Sequence, residues 1–148
     1  MSLYEFLLFV HVLAAFLTIA SVTVYVSVLL ATRGAGSVAE VRPLLRLHRL
    51  GGILWGIGGG LVLLFGIALA IEVDGYELWD PWIVAAYVLW LLAGFAGTRV
   101  AAAYAEALAD GAPPPAATIG SSRSLAMHAL MALTLAAFLV DMIYKPGA

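Results

Sequence analysis

Three histidines, His11, His48 and His128, are the side chains of this sequence best suited to chemistry. An imidazole can ligate a haem iron or a metal ion through one ring nitrogen, or carry a proton near neutral pH. His11 and His128 fall inside long apolar runs, where an ionisable group is costly and marks a functional position. Counting helical rises places His11 roughly a third of the way in from one face and His128 in the opposite half. Their depths then differ by about 15 Å, so a single iron could take both only if the helices tilt strongly. His48 lies at an edge between Arg46 and Arg49, on the same side as His128, and makes the easier pair with it. Arg49 precedes an apolar run and could hold a haem propionate or a lipid phosphate, or simply anchor the helix. The candidate cofactor is therefore haem b, on His11, His48 or His128 with Arg49 nearby; a bare metal would fall to His11 and His128. The competing reading makes each histidine a neutral, hydrogen-bonded packing residue, with His48 solvated among its arginines. No His-x-x-x-His or Glu-x-x-His pair is present to favour a metal outright.

Other chemistries are excluded more firmly. The chain has no cysteine, which removes disulfides, thiolate metal sites and cysteine nucleophiles. No P-loop, Gly-x-Ser-x-Gly elbow or zinc-protease motif occurs, and no basic run suggests nucleic acid. Asp141 and Glu5 sit near one face, where they could bind a proton or cation or merely contact water. Trp55, Phe65, Trp90, Phe95 and Phe138 read as lipid-facing or core residues rather than a cofactor box.

These side chains must be positioned by membrane helices. Of 148 residues 64% are hydrophobic and 11% charged, with a mean hydropathy of +1.07, far from the quarter charged of soluble domains. Apolar segments predict four helices over about 3–31, 50–71, 81–109 and 123–144, in one transmembrane domain. In the first, His11, Thr18 and Tyr25 recur every seventh residue and define a small, polar face with Ala14, Ala15, Ser21 and Val22. That face should point into the bundle, with Leu7, Phe9, Phe16, Val24 and Val28 toward lipid. In the second, Gly52, Gly56 and Gly60 form a ridge for close helix packing, which is favoured over the approach of a flat macrocycle. Residues 37–47 read as a separate amphipathic piece along the interface. Asp80-Pro81 caps the third helix, beside interfacial Trp79 and Trp82. Ser121 or Ser122 caps the fourth, a flexible connection precedes it, and Lys145 to Ala148 form a tail.

Arg33, Arg42, Arg46, Arg49, Arg99 and Arg123 cluster in or beside connections 32–49 and 110–122, whereas the acidic segment 72–80 has no base. By the positive-inside rule the first two are cytoplasmic, segment 72–80 is extracytoplasmic, and both termini lie outside. The expected architecture is an all-α, integral membrane four-helix up-and-down bundle of the bacterial cytoplasmic membrane, with the second helix at its centre.

The opening LYEFLLFVHVLAAF, the arginine-rich first connection, the glycine-rich second helix and DPWIVAAYVLWLLAG opening the third carry a resemblance. Over about residues 3–143 the chain resembles the bacterial DUF2269 family of predicted integral membrane proteins of unknown function. That family is in turn similar to the copper-resistance protein CopD and the HemJ-type protoporphyrinogen oxidases. There a histidine of the first helix is associated with metal or haem handling, a role the resemblance places on His11. Three functions follow as expectations. One is a haem-binding or redox membrane protein. Another is a non-catalytic scaffold subunit, as a homodimer or with a membrane-complex partner. The third is a small ion or proton transporter using His11 and Asp141.

Overall fold

The computed structural model describes residues 1–33, 35–109, 111 and 114–145. The expected loop glycine Gly34, Pro113 of the proline run and tail residues 146–148 lie outside them.

The first helix, α1 (Leu3–Thr32), starts at a capping box. The Glu5 amide donates to Ser2 Oγ at 3.2 Å, and the Ser2 amide donates to Glu5 Oε2 at 2.7 Å. Next comes α2 (Val38–Glu72), a single helix of 35 residues, roughly 52 Å at the helical rise. The separate interfacial piece expected over 37–47 is instead the first part of this helix. Pro43, the sixth residue of α2, takes away one amide donor without ending the helix, and no breaker follows before Leu50. Burial of Val41 and Leu45 in the core then holds the amphipathic turns in line with the span.

Pro81–Ala107 form α3, with Pro81 in its first turn. The Asp80 carboxylate makes no cap bond; it accepts the Glu77 amide at 3.0 Å, closing the preceding turn. The connection read as flexible contains a short helix, α4 (Pro115–Thr118), after which Ile119 is fully buried in the core. Finally α5 (Ser122–Tyr144) is capped by Ser121, whose hydroxyl accepts the Ser124 amide at 3.2 Å.

The four long helices are each long and apolar enough to cross a membrane, and the described residues contain no strand. Large side chains such as Phe9, Phe16, Leu64, Leu91 and Leu133 point outward, as suits a lipid solvent. The helices pack as two antiparallel pairs, α1 with α2 and α3 with α5, with few contacts between pairs. The second helix is therefore half of one pair rather than the centre of the bundle.

Along α1 the buried positions Leu7, Ala14, Thr18, Ser21, Tyr25, Val28 and Thr32 form one line with half-buried His11, and Val22 and Leu29 are buried beside it. The steps of three and four along that line describe a coiled-coil seam. Leu7 and Val28, expected to face lipid, belong to it because they share the heptad position of Ala14 and Ser21. The polar character of the seam is absorbed by α2, where the Ser21 hydroxyl donates to the Gly51 carbonyl at 2.8 Å.

Glycines let the pair close, but they are not the predicted ones. A Cβ on Gly58 would lie 2.8 Å from the Thr18 amide nitrogen and 2.9 Å from the Ala14 carbonyl oxygen. On Gly51 it would stand 3.2 Å from the Tyr25 ring. Gly56 and Gly60 meet nothing within 4 Å, and Gly52 meets only the Tyr25 hydroxyl at 3.5 Å. A step of four turns about 40° past a full helical turn, so the ridge drifts off a seam that follows steps of seven and eight through Gly51, Gly58 and Gly66.

Two buried clusters close the ends. Tyr25, Leu45, Tyr104, Ile119 and Met131 lie in the larger, at the end away from the termini. Ala70, Trp82 and Ile83 form the smaller, at the termini end.

Candidate functional site

Because the two pairs touch so little, a cleft remains between them. It holds two cavities of about 340 and 260 Å³. Both are lined by His11, Val12, Val62, Trp90, Phe138 and Met142, so they adjoin at the level of His11. Together they have the scale of a small-molecule or cofactor site, roughly 300–1,000 Å³. Their walls are mostly aliphatic and aromatic. Trp55 closes one side against Gly97, where a Cβ would stand 3.4 Å from the indole, and the Trp90 indole donates to the Gly59 carbonyl at 3.0 Å.

His11 supplies a nitrogen donor at the junction. Its Nδ1 lies 3.0 Å from the Val62 carbonyl oxygen. A carbonyl only accepts, so Nδ1 carries the proton and Nε2 keeps its lone pair. Metal-ligating histidines are held in this way, with the far nitrogen donating to a carbonyl that fixes ring and tautomer. The ring fits because position 66 is glycine: a Cβ there would come 3.0 Å from His11 Cε1. Among the described residues no group of three His, Cys, Asp or Glu side chains could hold a metal ion. One imidazole is a poor cage for a bare ion but an adequate axial ligand for an iron already held by a macrocycle. The Met142 thioether lines both cavities and is the other soft donor there.

The other two histidines are engaged elsewhere. His128 is buried, and its Nδ1 donates to the Ser124 carbonyl at 2.8 Å. The Tyr104 hydroxyl stands 3.2 Å from His128 Nε2 and 3.0 Å from the Tyr25 carbonyl oxygen, one proton facing two acceptors. His48 Nδ1 donates to the Leu45 carbonyl at 2.7 Å, and its ring stacks on Tyr104 with centroids 5.8 Å apart and planes 4° apart. The Tyr104 ring thus contacts both His48 and His128, the latter edge-on at 5.8 Å. The structure gathers these histidines around a phenol, not around a shared vacancy, and neither lines the cleft. Nor does His128 join His11. Arg49 is exposed and lines neither cavity.

At the termini end the larger cavity is bordered by Lys145, Tyr76 and Trp82. Lys145 Nζ donates to the Tyr76 hydroxyl at 2.8 Å and lies 4.8 and 5.3 Å from the ring centres of Tyr76 and Trp82. The Trp82 indole N–H and Asp141 Oδ2 are buried without a hydrogen-bond partner among the described residues. Asp141 lines neither cavity, so it does not share the His11 site. Trp90, Phe138, Met142 and Gly66 carry no spacing signal that marks them in advance, because their meeting depends on how one helix pair sits against the other. Lys145 does carry a signal: it is the only lysine, at the acidic end of the chain.

A family model described as predicted integral membrane protein (DUF2269) matches residues 5–146. The chain belongs to this family and is an integral, multi-pass membrane protein with four apolar helices. No curated protein and no solved structure matches it.

Proposed function

We propose that this DUF2269 member is a small cofactor-binding protein of the bacterial cytoplasmic membrane that holds haem b in the cleft between its helix pairs. The observation that carries the reading is His11, with Nδ1 donating to Val62 and Nε2 left as an acceptor where the two cavities meet. A bound haem would supply one-electron chemistry at iron. The chain's share is to orient the imidazole through the Val62 carbonyl, leave room for it at Gly66, and exclude water with Trp55, Trp90 and Phe138. Met142 offers a second donor atom. The resemblance to the CopD and HemJ-type group read from the sequence, which places such a role on His11, is in keeping with it. The arginines at the end away from the termini favour an orientation with that end in the cytoplasm and both termini outside.

The test is an absorption spectrum of detergent-purified protein, oxidised and then dithionite-reduced. A Soret band with sharp reduced α and β bands, lost in His11→Ala and kept in His128→Ala, is the expected result. A flat spectrum after expression with ample haem removes the reading.

One observation favours a second role, as a non-catalytic subunit that pairs with a copy of itself or another membrane protein. Gly56 and Gly60 form a smooth exposed surface that no described part of their own chain covers. Disulfide trapping through single cysteines beside that ridge, abolished by Gly56→Leu, would support it. For transport, His11 and Asp141 would have to share a path; they line no common cavity.

A further inference from the structure

The same cleft has a polar end whose chemistry narrows the ligand. Lys145 is the only basic side chain at the termini end, where Glu5, Glu72, Asp74, Glu77, Asp80 and Asp141 also lie. A basic residue there runs against the distribution of the six arginines, so topology does not account for it. It is also the one non-glycine among the described residues with a left-handed backbone, φ 42° and ψ 62°. An L-residue adopts that conformation only at an energetic cost, because its Cβ crowds the following carbonyl oxygen. Its amide remains bonded to the Asp141 carbonyl at 2.8 Å, and the turn leaves its side chain bordering the larger cavity.

What surrounds the ammonium is a set of donors. Lys145 Nζ has three N–H bonds, and Tyr76 accepts one while keeping its own O–H to give. The Trp82 indole N–H, on a residue 6% exposed that lines the same cavity, has no acceptor among the described residues. Among the described residues no Asp or Glu lines either cavity. Donors and a positive charge at the mouth of an apolar cavity call for an anionic acceptor. From Lys145 back to Phe138, which shares both cavities with His11, is seven residues of α5, roughly 10 Å of helix.

Resting on the reading of the cleft as a ligand site, we propose that its ligand is a carboxylate-bearing amphiphile. Its carboxylate seats at Lys145, Tyr76 and Trp82, and its apolar body extends to His11. Haem, with its propionates, and long-chain fatty acids share this chemistry, and the experiment separates them.

Purified protein in neutral detergent is titrated with dibromostearic acid and with the corresponding neutral alcohol, read as quenching of tryptophan fluorescence. The acid should bind at least tenfold more tightly than the alcohol. Lys145→Met should bring the acid down to the alcohol's affinity and leave the alcohol unchanged, and Lys145→Arg should restore most of the preference. Equal binding of acid and alcohol by the unaltered protein, or an undiminished preference in Lys145→Met, overturns the proposal. A parallel titration compares haem with its dimethyl ester by Soret absorbance. If neither gives a band that depends on His11 while the acid preference holds, the haem reading falls and the carboxylate site stands. If haem and its ester bind equally well through His11, the carboxylate site falls and the haem reading stands.

Discussion

The His11 ring lies close against Gly66: a Cβ at position 66 would stand 3.0 Å from Cε1, while Nδ1 donates 3.0 Å away to the Val62 carbonyl one helical turn earlier. One residue of α1 is thus seated by the backbone of α2, and its orientation depends on a side chain that is missing.

Gly66→Ala should therefore push the imidazole off the Val62 carbonyl. Any absorbance band or ligand affinity that depends on His11 should weaken about tenfold, equivalent to about 1.4 kcal/mol. Gly60→Ala, which meets nothing within 4 Å, should leave it unchanged. Spectral titration of the two variants side by side makes the comparison.

Gly58→Ala should loosen the α1–α2 pair itself. Its methyl would lie 2.8 Å from the Thr18 amide nitrogen, and backbone cannot swing aside as a side chain can. Overpacking of this kind costs about 1–3 kcal/mol, to be read as a lower midpoint in SDS-induced unfolding. Gly56→Ala is the control and should unfold at the same SDS fraction as the parent.

Tyr104→Phe should destabilise the other end. It deletes the one hydroxyl facing the Tyr25 carbonyl and His128 Nε2, leaving buried acceptors without that donor. The expected loss is about 1–3 kcal/mol in the same unfolding assay. Because Tyr104 lines neither cavity, ligand affinity at the cleft should not change in the folded fraction.

Topology can be read directly, since the chain has no cysteine to remove. Asp74→Cys should react with an impermeant maleimide added to spheroplasts, and Ser37→Cys only after lysis. The reverse pattern would invert the bundle.

The spans were legible in the sequence because each membrane segment must satisfy its own backbone, so length and apolarity decide it locally. The inward face of α1 was legible too: Thr18, Ser21 and Tyr25 announce a polar seam, and all three are buried. The weaker inferences were those that needed a partner. Residues 37–47 have an interfacial composition, but burial of Val41 and Leu45 joins them to α2. Gly52, Gly56 and Gly60 match a packing motif, yet Gly51, Gly58 and Gly66 make the contacts.

The sequence alone, then, determined that this is a four-helix membrane protein with His11 toward one end of the spans and His48 and His128 toward the other, because hydropathy and helical rise are properties of one segment at a time. Tertiary structure decided what each histidine does. The phase of the α1–α2 seam selects which glycines face which side chains, and the loose contact between the two pairs leaves a cleft beside His11 while Tyr104 engages His48 and His128. Neither the phase nor the gap is a property of any single helix; both arise from how the helices pack.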